Sequence, residues 1–339
     1  MMRPLPFEKP IDDLYDKIEE LKRLSAEGDV DLSGEIKAME KRAEQVKQEI
    51  FSHLTPQQIM QIARHPNRPS TLGLAKLICD SFIELHGDRQ FRDDPSIVGG
   101  IAELDGQRVV IIGHQKGQDT KEKLYRNFGM PHPEGYRKAL RLMRMAEKFN
   151  MPILTFIDTP GAYPGKEAEE RGQAEAIARN LRDMSQIKTP IITYVIGEGG
   201  SGGALGIAVS NEVVMLEYSV YSVISPEGCA SILFRNADQA DYAAERLRIT
   251  AKDVLELGIA DAILDEPFGG AHNDWASMAD AIKSHAVKAL SGYNKLSKED
   301  VVLKRYEKFR QLGRFELGDA PKKSKKSTRK KGTAAKKKS

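Results

Sequence analysis

The chain opens with apolar residues spaced by three and four. Ile11, Leu14, Ile18 and Leu21 form one such series, and Ile36, Met39, Ala43, Val46 and Ile50 form a second. This heptad-like spacing predicts two helices, each with a narrow apolar seam that needs a partner. The polar, Gly-bearing stretch 25–34 between them reads as a turn or linker. The seams can close on each other, on the rest of the chain or on another protein, and the spacing does not choose. Residues 55–95 mix short helical patterns with breaks at Pro56, Pro66, Pro69 and Gly87. Alternation then takes over. Apolar runs at 97–104 and 108–113 flank Asp105-Gly106, a strong hairpin signal.

Beyond the hairpin, helical and extended patterns take turns. Amphipathic helices are expected at 134–149 and 167–184, and buried strands at 152–157 and 190–196. Further strands are expected at 212–217 and 220–224, and helices at 227–234, 237–247, 251–257, 273–290 and 298–312. This alternation predicts an α/β domain with parallel neighbouring strands. The expected organisation is a helical segment over 1–54, an α/β domain with closing helices over 55–315, and a Lys-rich tail over 316–339.

Charge changes the picture only at the end of the chain. From Pro321 onward there are ten Lys or Arg and no Asp or Glu; without them the chain carries 42 basic and 49 acidic residues, against a formal net charge of +3 for the whole. The basicity therefore belongs to the tail, which reads as a solvated, disordered extension. Its chemistry would also attract nucleic acid, an anionic membrane or an acidic partner. No apolar run is long enough to span a bilayer. The first residues lack the apolar core of a secretory signal, which points to the cytoplasm. The two cysteines, Cys79 and Cys229, have no Cys or His neighbours at metal-ligand spacing, so neither a disulfide framework nor a zinc site is expected.

Candidate chemistry gathers where strands end. The strand at 190–196 runs into Gly197-Glu198-Gly199-Gly200-Ser201-Gly202-Gly203-Ala204, and the strand at 152–157 runs into Asp158-Thr159-Pro160-Gly161-Ala162-Tyr163-Pro164-Gly165. Ligands of α/β sheets collect at such carboxyl ends. Ser225-Pro226-Glu227-Gly228 could supply the opposite wall. Bare amides behind a strand, at the start of a helix, suit a negative oxygen. A Walker loop is excluded because the run has no Lys. Gly197, Gly199 and Gly202 do fit a dinucleotide fingerprint, with Glu217 at a tolerable distance for a ribose, but the run holds more glycine than that fingerprint needs. The other reading is an oxyanion hole made by the amides of Gly202, Gly203 and Ala204, supported by Gly161 and Ala162. Ser201 has no neighbouring base, and Glu198 and Glu212 read as structural or solvated carboxylates before they read as catalytic bases.

Several of these stretches, with Gly113-His114-Gln115-Lys116-Gly117, Asn127-Phe128-Gly129-Met130-Pro131, Glu134-Gly135-Tyr136-Arg137-Lys138-Ala139 and Ser222–Ala230, carry a family likeness. In their order and length they resemble the carboxyltransferase alpha subunit of bacterial-type acetyl-coenzyme A carboxylase. The likeness covers roughly residues 1 to 315 and leaves out the basic tail. It implies a crotonase-like ββα-spiral core. It also implies transfer of a carboxyl group from carboxybiotin, held on a biotin carboxyl carrier protein, to acetyl-coenzyme A. The product is malonyl-coenzyme A, which feeds fatty acid synthesis. Gly202 and Gly203, with Ala204 beside them, fall on the family's glycine pair, taken to hold the biotin ureido oxygen. The implied partners are a zinc-ribbon-bearing beta subunit that holds the thioester oxygen, in an α2β2 heterotetramer, and a biotin carboxylase. No metal is implied on this chain.

The remaining candidates divide between function and structure. Tyr163 lines the biotin pocket or packs there, and Ser225, Pro226, Glu227 and Gly228 form a pocket wall. Lys116, Lys121, Lys123 and Arg126 meet coenzyme A phosphates or form a solvated charged loop. His114 reads as a hydrogen-bonded structural histidine and Cys229 as a small buried residue. Three rival functions are a nicotinamide-dependent oxidoreductase on the glycine fingerprint, a nucleic-acid-binding or scaffold protein acting through the tail, and a single-chain hydratase using Glu198 and Glu212.

Overall fold

The computed structural model describes residues 5–27 and 31–313. Within them one sheet is built from β1 (Ser81–Glu84), β2 (Ile97–Leu104), β3 (Gln107–His114), β4 (Ile153–Thr159), β5 (Ile191–Gly200), β6 (Glu212–Leu216), β7 (Val220–Ser222) and β8 (Ala262–Leu264). The order is β1-β2-β3-β4-β5-β6-β8, with β7 beside the last residues of β5. The first three strands are antiparallel, and β3 through β6 and β8 run parallel. The β2–β3 turn has φ of 50° at Asp105 and 73° at Gly106, the left-handed pair that a tight two-residue hairpin turn demands.

β4 and β5 are apolar on both faces because both faces are covered. One layer brings the helices Pro133–Lys148 and Gln173–Met184 onto the sheet, burying Leu142, Met143 and Met184 against Ile112, Ile153 and Val195. The other layer brings Thr71–Ile78 and Trp275–Tyr293, burying Leu74 and Ile282 against Phe156 and Ile192. The fold is α/β with the expected parallel core. β1 and β8 were not expected, since strands of four and three residues are too short to show a period of two. The helix expected at 167–184 is two helices, Lys166–Glu170 and Gln173–Met184, parted at Gly172, where φ is 85°.

The amino-terminal helices, Lys9–Glu27 and Ser33–Ser52, close their seams on each other. Ile18 and Ala43 are buried, and Lys22 lies 3.1 Å from Glu40. Only the base of the pair docks on the body, where the Phe51 ring meets Tyr218 and Phe268 at 6.2 and 5.5 Å. The second helix starts at Ser33, inside the stretch expected to be linker; residues 28–30 of that stretch, and the Lys-rich tail, lie outside the described residues.

Arg305, on the helix Lys298–Gln311, fastens the amino-terminal ends of the parallel strands. It is fully buried and donates to the carbonyls of Met184, Ile187 and Thr189 and to Asn211 Oδ1. Burial brings its pKa down to about 10, so it stays charged at neutral pH. Replacing it leaves buried acceptors without donors, each costing about 1–3 kcal/mol. Arg305→Met is expected to destabilise the chain by about 3 kcal/mol or more, read as a lower denaturant midpoint at unchanged slope.

Candidate functional site

The site is built where β4 and β5 end. β5 does not stop at Ile196 as expected; it continues through Gly197–Gly200, and a one-turn helix, Ser201–Leu205, follows directly. The register explains the extension. Ile157 and Thr159 of β4 pair with Val195 and Gly199, so β5 bulges by two residues there and then takes β7 as its neighbour. Ser201 makes the turn into the helix with a left-handed φ of 52°.

Four of the five glycines in this run stand where a Cβ would collide. At Gly200 it would overlap the Pro160 carbonyl, at Gly203 the Gly161–Ala162 peptide, at Gly197 the Asp158 carboxylate, and at Gly199 the Tyr221 ring. Gly202 is the exception, with Ile177 at an ordinary 3.9 Å. The two strand-end loops therefore touch backbone to backbone. A phosphate fingerprint would place Gly197 and Gly199 in a loop, whereas both lie inside β5, and Glu217 accepts the Glu266 amide. The dinucleotide reading loses its geometry.

The amides follow from this arrangement. A helix leaves its first-turn N–H groups without internal acceptors. Here those belong to Ser201, Gly202 and Gly203, while the amide of Ala204 is in helical register with the cap carbonyl of Gly200. Among the described residues, no hydrogen bond engages the Ala162 amide, which lies against the Cα of Gly203. Amides of two loops thus meet at one place. Beside Ser201 and Gly202 opens a cavity of about 340 Å³, walled mainly by Leu205, Tyr221, Val223 and Leu257. Among the described residues, no hydrogen bond engages the Ser201 hydroxyl.

A chain of charges ties the loops together. Asp158 Oδ1 accepts the Glu198 amide at 3.1 Å and lies 2.8 Å from Lys116 Nζ. Lys116 donates to Glu198 Oε1 at 2.7 Å, Arg64 Nε donates to Glu198 Oε2 at 2.8 Å, and Arg64 Nη1 donates to Glu227 at 2.9 Å. Burial pushes the Glu198 carboxyl up, but Lys116 and Arg64 more than offset it and hold the group below the usual glutamate range. Burial likewise works against the charge on Lys116, and Asp158 and Glu198 restore it. Glu198 is a tethered structural carboxylate. Glu212 sits by the opposite ends of the strands, 3.2 Å from His285, which also meets the Tyr194 hydroxyl.

The other predicted residues fall as follows. Ser225 caps the helix Pro226–Leu233 by accepting the Gly228 amide, and Glu227 leaves that helix to reach Arg64. Tyr163 stacks on His132 at 4.2 Å, and its amide donates to the Pro131 carbonyl. Lys116 is committed to two carboxylates, and Arg126 to Glu122 and the Pro95 carbonyl. Lys121 and Lys123 lie on the short helix Thr120–Tyr125, with Lys121 exposed. His114 corrects its expectation. It is buried against the backbone of Gly203 and Phe156, but neither ring nitrogen makes a well-formed hydrogen bond among the described residues, and burial brings its pKa down to about 3. Cys229 is buried beside Ala230 and Ala243. Sequence reasoning missed Arg64, whose partners lie more than a hundred residues away and leave no local pattern.

Comparison with known proteins identifies the family. A family model described as acetyl co-enzyme A carboxylase carboxyltransferase-like matches residues 4–313. The acetyl-coenzyme A carboxylase carboxyl transferase subunit alpha of Methylococcus capsulatus is 55% identical over 312 residues, covering 92% of this chain and 97% of the relative. That of Geobacter metallireducens is 56% identical, covering 92% and 98%. The chain belongs to the acetyl-coenzyme A carboxylase carboxyltransferase alpha-subunit family. Solved structures extend the likeness of fold beyond this family. A chain of a Pseudomonas malonate decarboxylase hetero-tetramer in complex with coenzyme A aligns with a TM-score of 0.56 at 17% identity, over 70% of this chain and 92% of its own. The beta subunit of Pseudomonas aeruginosa geranyl-CoA carboxylase aligns at 0.51 and 15%, over 78% and 48%. Among the described residues there is no cluster of His, Cys, Asp and Glu able to hold a metal, and no helix long and apolar enough to cross a membrane.

Two outcomes follow for these strand-end loops. Gly200→Ala should destabilise by about 1–3 kcal/mol through overpacking, and Gly202→Ala by less than about 1 kcal/mol, in matched thermal unfolding. Lys116→Met leaves Asp158 without its cation and Glu198 with Arg64 alone, and should cost about 3–5 kcal/mol at neutral pH. Because the folded pKa of Glu198 is depressed, its contribution is present above the unfolded value of about 4.3 and is lost as pH falls through the lower folded value. Stability of the Lys116→Met variant should therefore vary less across that acidic window, measured by denaturant titration at several pH values.

Proposed function

We propose that this chain, together with a beta-type carboxyltransferase subunit, transfers a carboxyl group from carboxybiotin to acetyl-coenzyme A and yields malonyl-coenzyme A for fatty acid synthesis. The carboxybiotin rides on a biotin carboxyl carrier protein and is regenerated by a biotin carboxylase. The observation that carries this reading is the close approach of Gly203 to the Ala162 amide, directly beside Gly202, which with Ser201 lines an apolar cavity. Carboxybiotin supplies the carboxyl group and, on losing it, a ureido oxygen that bears negative charge. The cavity of about 340 Å³ fits a bicyclic ring, and the helix start at Ser201 and Gly202 on its wall suits that oxygen.

The chain's own residues act by holding and excluding. Gly202 and Gly203 donate to the developing anion, and Ala162 adds a donor from the second loop. Leu205, Tyr221 and Val223 keep water from the ring, which strengthens those bonds. Lys121 and Lys123 are available for coenzyme A phosphates, unlike Lys116 and Arg126. A thioester enolate needs a second set of donors, and a partner chain would supply it. Exposed apolar residues support such a partner: Val223 on the cavity wall, and Ile232 and Leu233 at the end of the helix Pro226–Leu233, are 75, 70 and 68% exposed. An α2β2 assembly suits this arrangement.

The test is co-expression with a beta subunit of the same source. The complex should form acetyl-coenzyme A from malonyl-coenzyme A and free biotin, the reverse of the transfer, whereas this chain alone should not. Gly203→Val, which wedges the two loops apart, should lower kcat by about 100-fold or more, the scale of one lost oxyanion donor. Full activity of the isolated chain, or of the Gly203→Val complex, would count against the reading.

A further inference from the structure

The one-turn helix that presents the Gly202 and Gly203 amides is intrinsically weak. It spans five residues, two of them glycine, and isolated turns of this kind do not hold their own shape. Its carbonyls show what holds it. Gly202 O accepts the Gly206 amide at 2.9 Å, but the Ile207 amide goes to Ala204 O, leaving Gly203 O without its helical donor. The missing donor comes from Tyr136. Its hydroxyl donates to Gly203 O at 3.1 Å from the helix Pro133–Lys148 beneath. Tyr136 is fully buried, and its ring lies under Gly206, where a Cβ would strike it.

Tyr136 is itself held. Asn180 Nδ2 donates both to the Tyr136 carbonyl at 3.0 Å and to Gly206 O at 2.9 Å. One buried amide side chain thereby fixes the tyrosine backbone and the end of the glycine turn to each other. We infer that Tyr136 is a positioning residue for carboxyl transfer: its hydroxyl pins the Gly203 carbonyl, and with it the direction in which the neighbouring amides face the reacting oxygen, while Asn180 keeps the tyrosine in place. Glycine has wide backbone freedom, so a pin on its carbonyl removes rotation that no side chain of its own could restrain. Amide donors lose much of their effect when misdirected, because they act on charge that appears only in the transition state.

This inference rests on the proposed role of the Gly202 and Gly203 amides, and the experiment separates the two. The complex with the beta subunit is assayed with malonyl-coenzyme A and free biotin for wild type, Tyr136→Phe, Asn180→Ser and Tyr194→Phe. Tyr194 is an equally buried tyrosine whose hydroxyl meets His285 3.0 Å away, toward the other end of the strands. Losing a buried hydroxyl should lower the thermal midpoint in both tyrosine variants. Only Tyr136→Phe should lose kcat, by about tenfold, with the KM for malonyl-coenzyme A within about twofold of wild type. Asn180→Ser should show the same selective loss at about threefold, and it decides the matter if Tyr136→Phe does not assemble. Unchanged kcat in Tyr136→Phe, or an equal loss in Tyr194→Phe, overturns the inference. Wild-type complex without biotin-dependent turnover overturns the underlying reading instead.

Discussion

Main-chain atoms of the β4 and β5 exits touch with no side chain between them, and the functional end of the sheet depends on that contact. A Cβ at Gly200 or Gly203 would occupy the place of the Pro160 carbonyl or the Gly161–Ala162 peptide. The approach brings amides from two loops to one spot, which a pair of ordinary strand ends would hold several ångströms further apart. It also accounts for the bulge in β5, which lets the strand leave β6 and run beside β7 while still meeting Thr159. Glycine here serves close packing more than left-handed backbone, since Ser201 makes the left-handed turn.

Close contact of bare backbone gives little adhesion of its own, and charged side chains supply it. Asp158, Lys116, Glu198, Arg64 and Glu227 alternate in sign across the loops, each held by at least one partner within 2.9 Å. Apolar residues could bind the same elements, but they would not fix directions. Directed, half-buried ion pairs hold one geometry and are costly to leave half-made. That suits a place where the orientation of amides matters more than the depth of the energy well.

Much of this was legible in the residue pattern. The hairpin announced itself through Asp105-Gly106, and the parallel core through continuous apolar runs at β4 and β5. Both glycine-bearing loops were found from their position behind strands. Other features were hidden for physical reasons. Strands of three and four residues carry no readable period, so β1 and β8 passed unnoticed. Local pattern placed Gly197 and Gly199 in a loop, because the pairing that keeps them extended comes from β7, twenty residues on. Arg64 and Tyr136 act on residues 134 and 67 positions away, a relation that only the folded chain displays. His114 was expected to be hydrogen-bonded and instead lies against the backbone of Gly203 and Phe156 without a well-formed bond, a contact set by residues far along the chain.

The two ends of the parallel strands are secured by different kinds of bond. At the working end the fasteners include carboxylates that acid neutralises. At the far end Arg305 grips neutral carbonyls and an amide, none of which changes charge at any ordinary acidity. Because Lys116 and Arg64 hold Glu198 below the usual glutamate range, only strong acid would slacken the glycine-lined edge, and the grip of Arg305 on the opposite rim would outlast it.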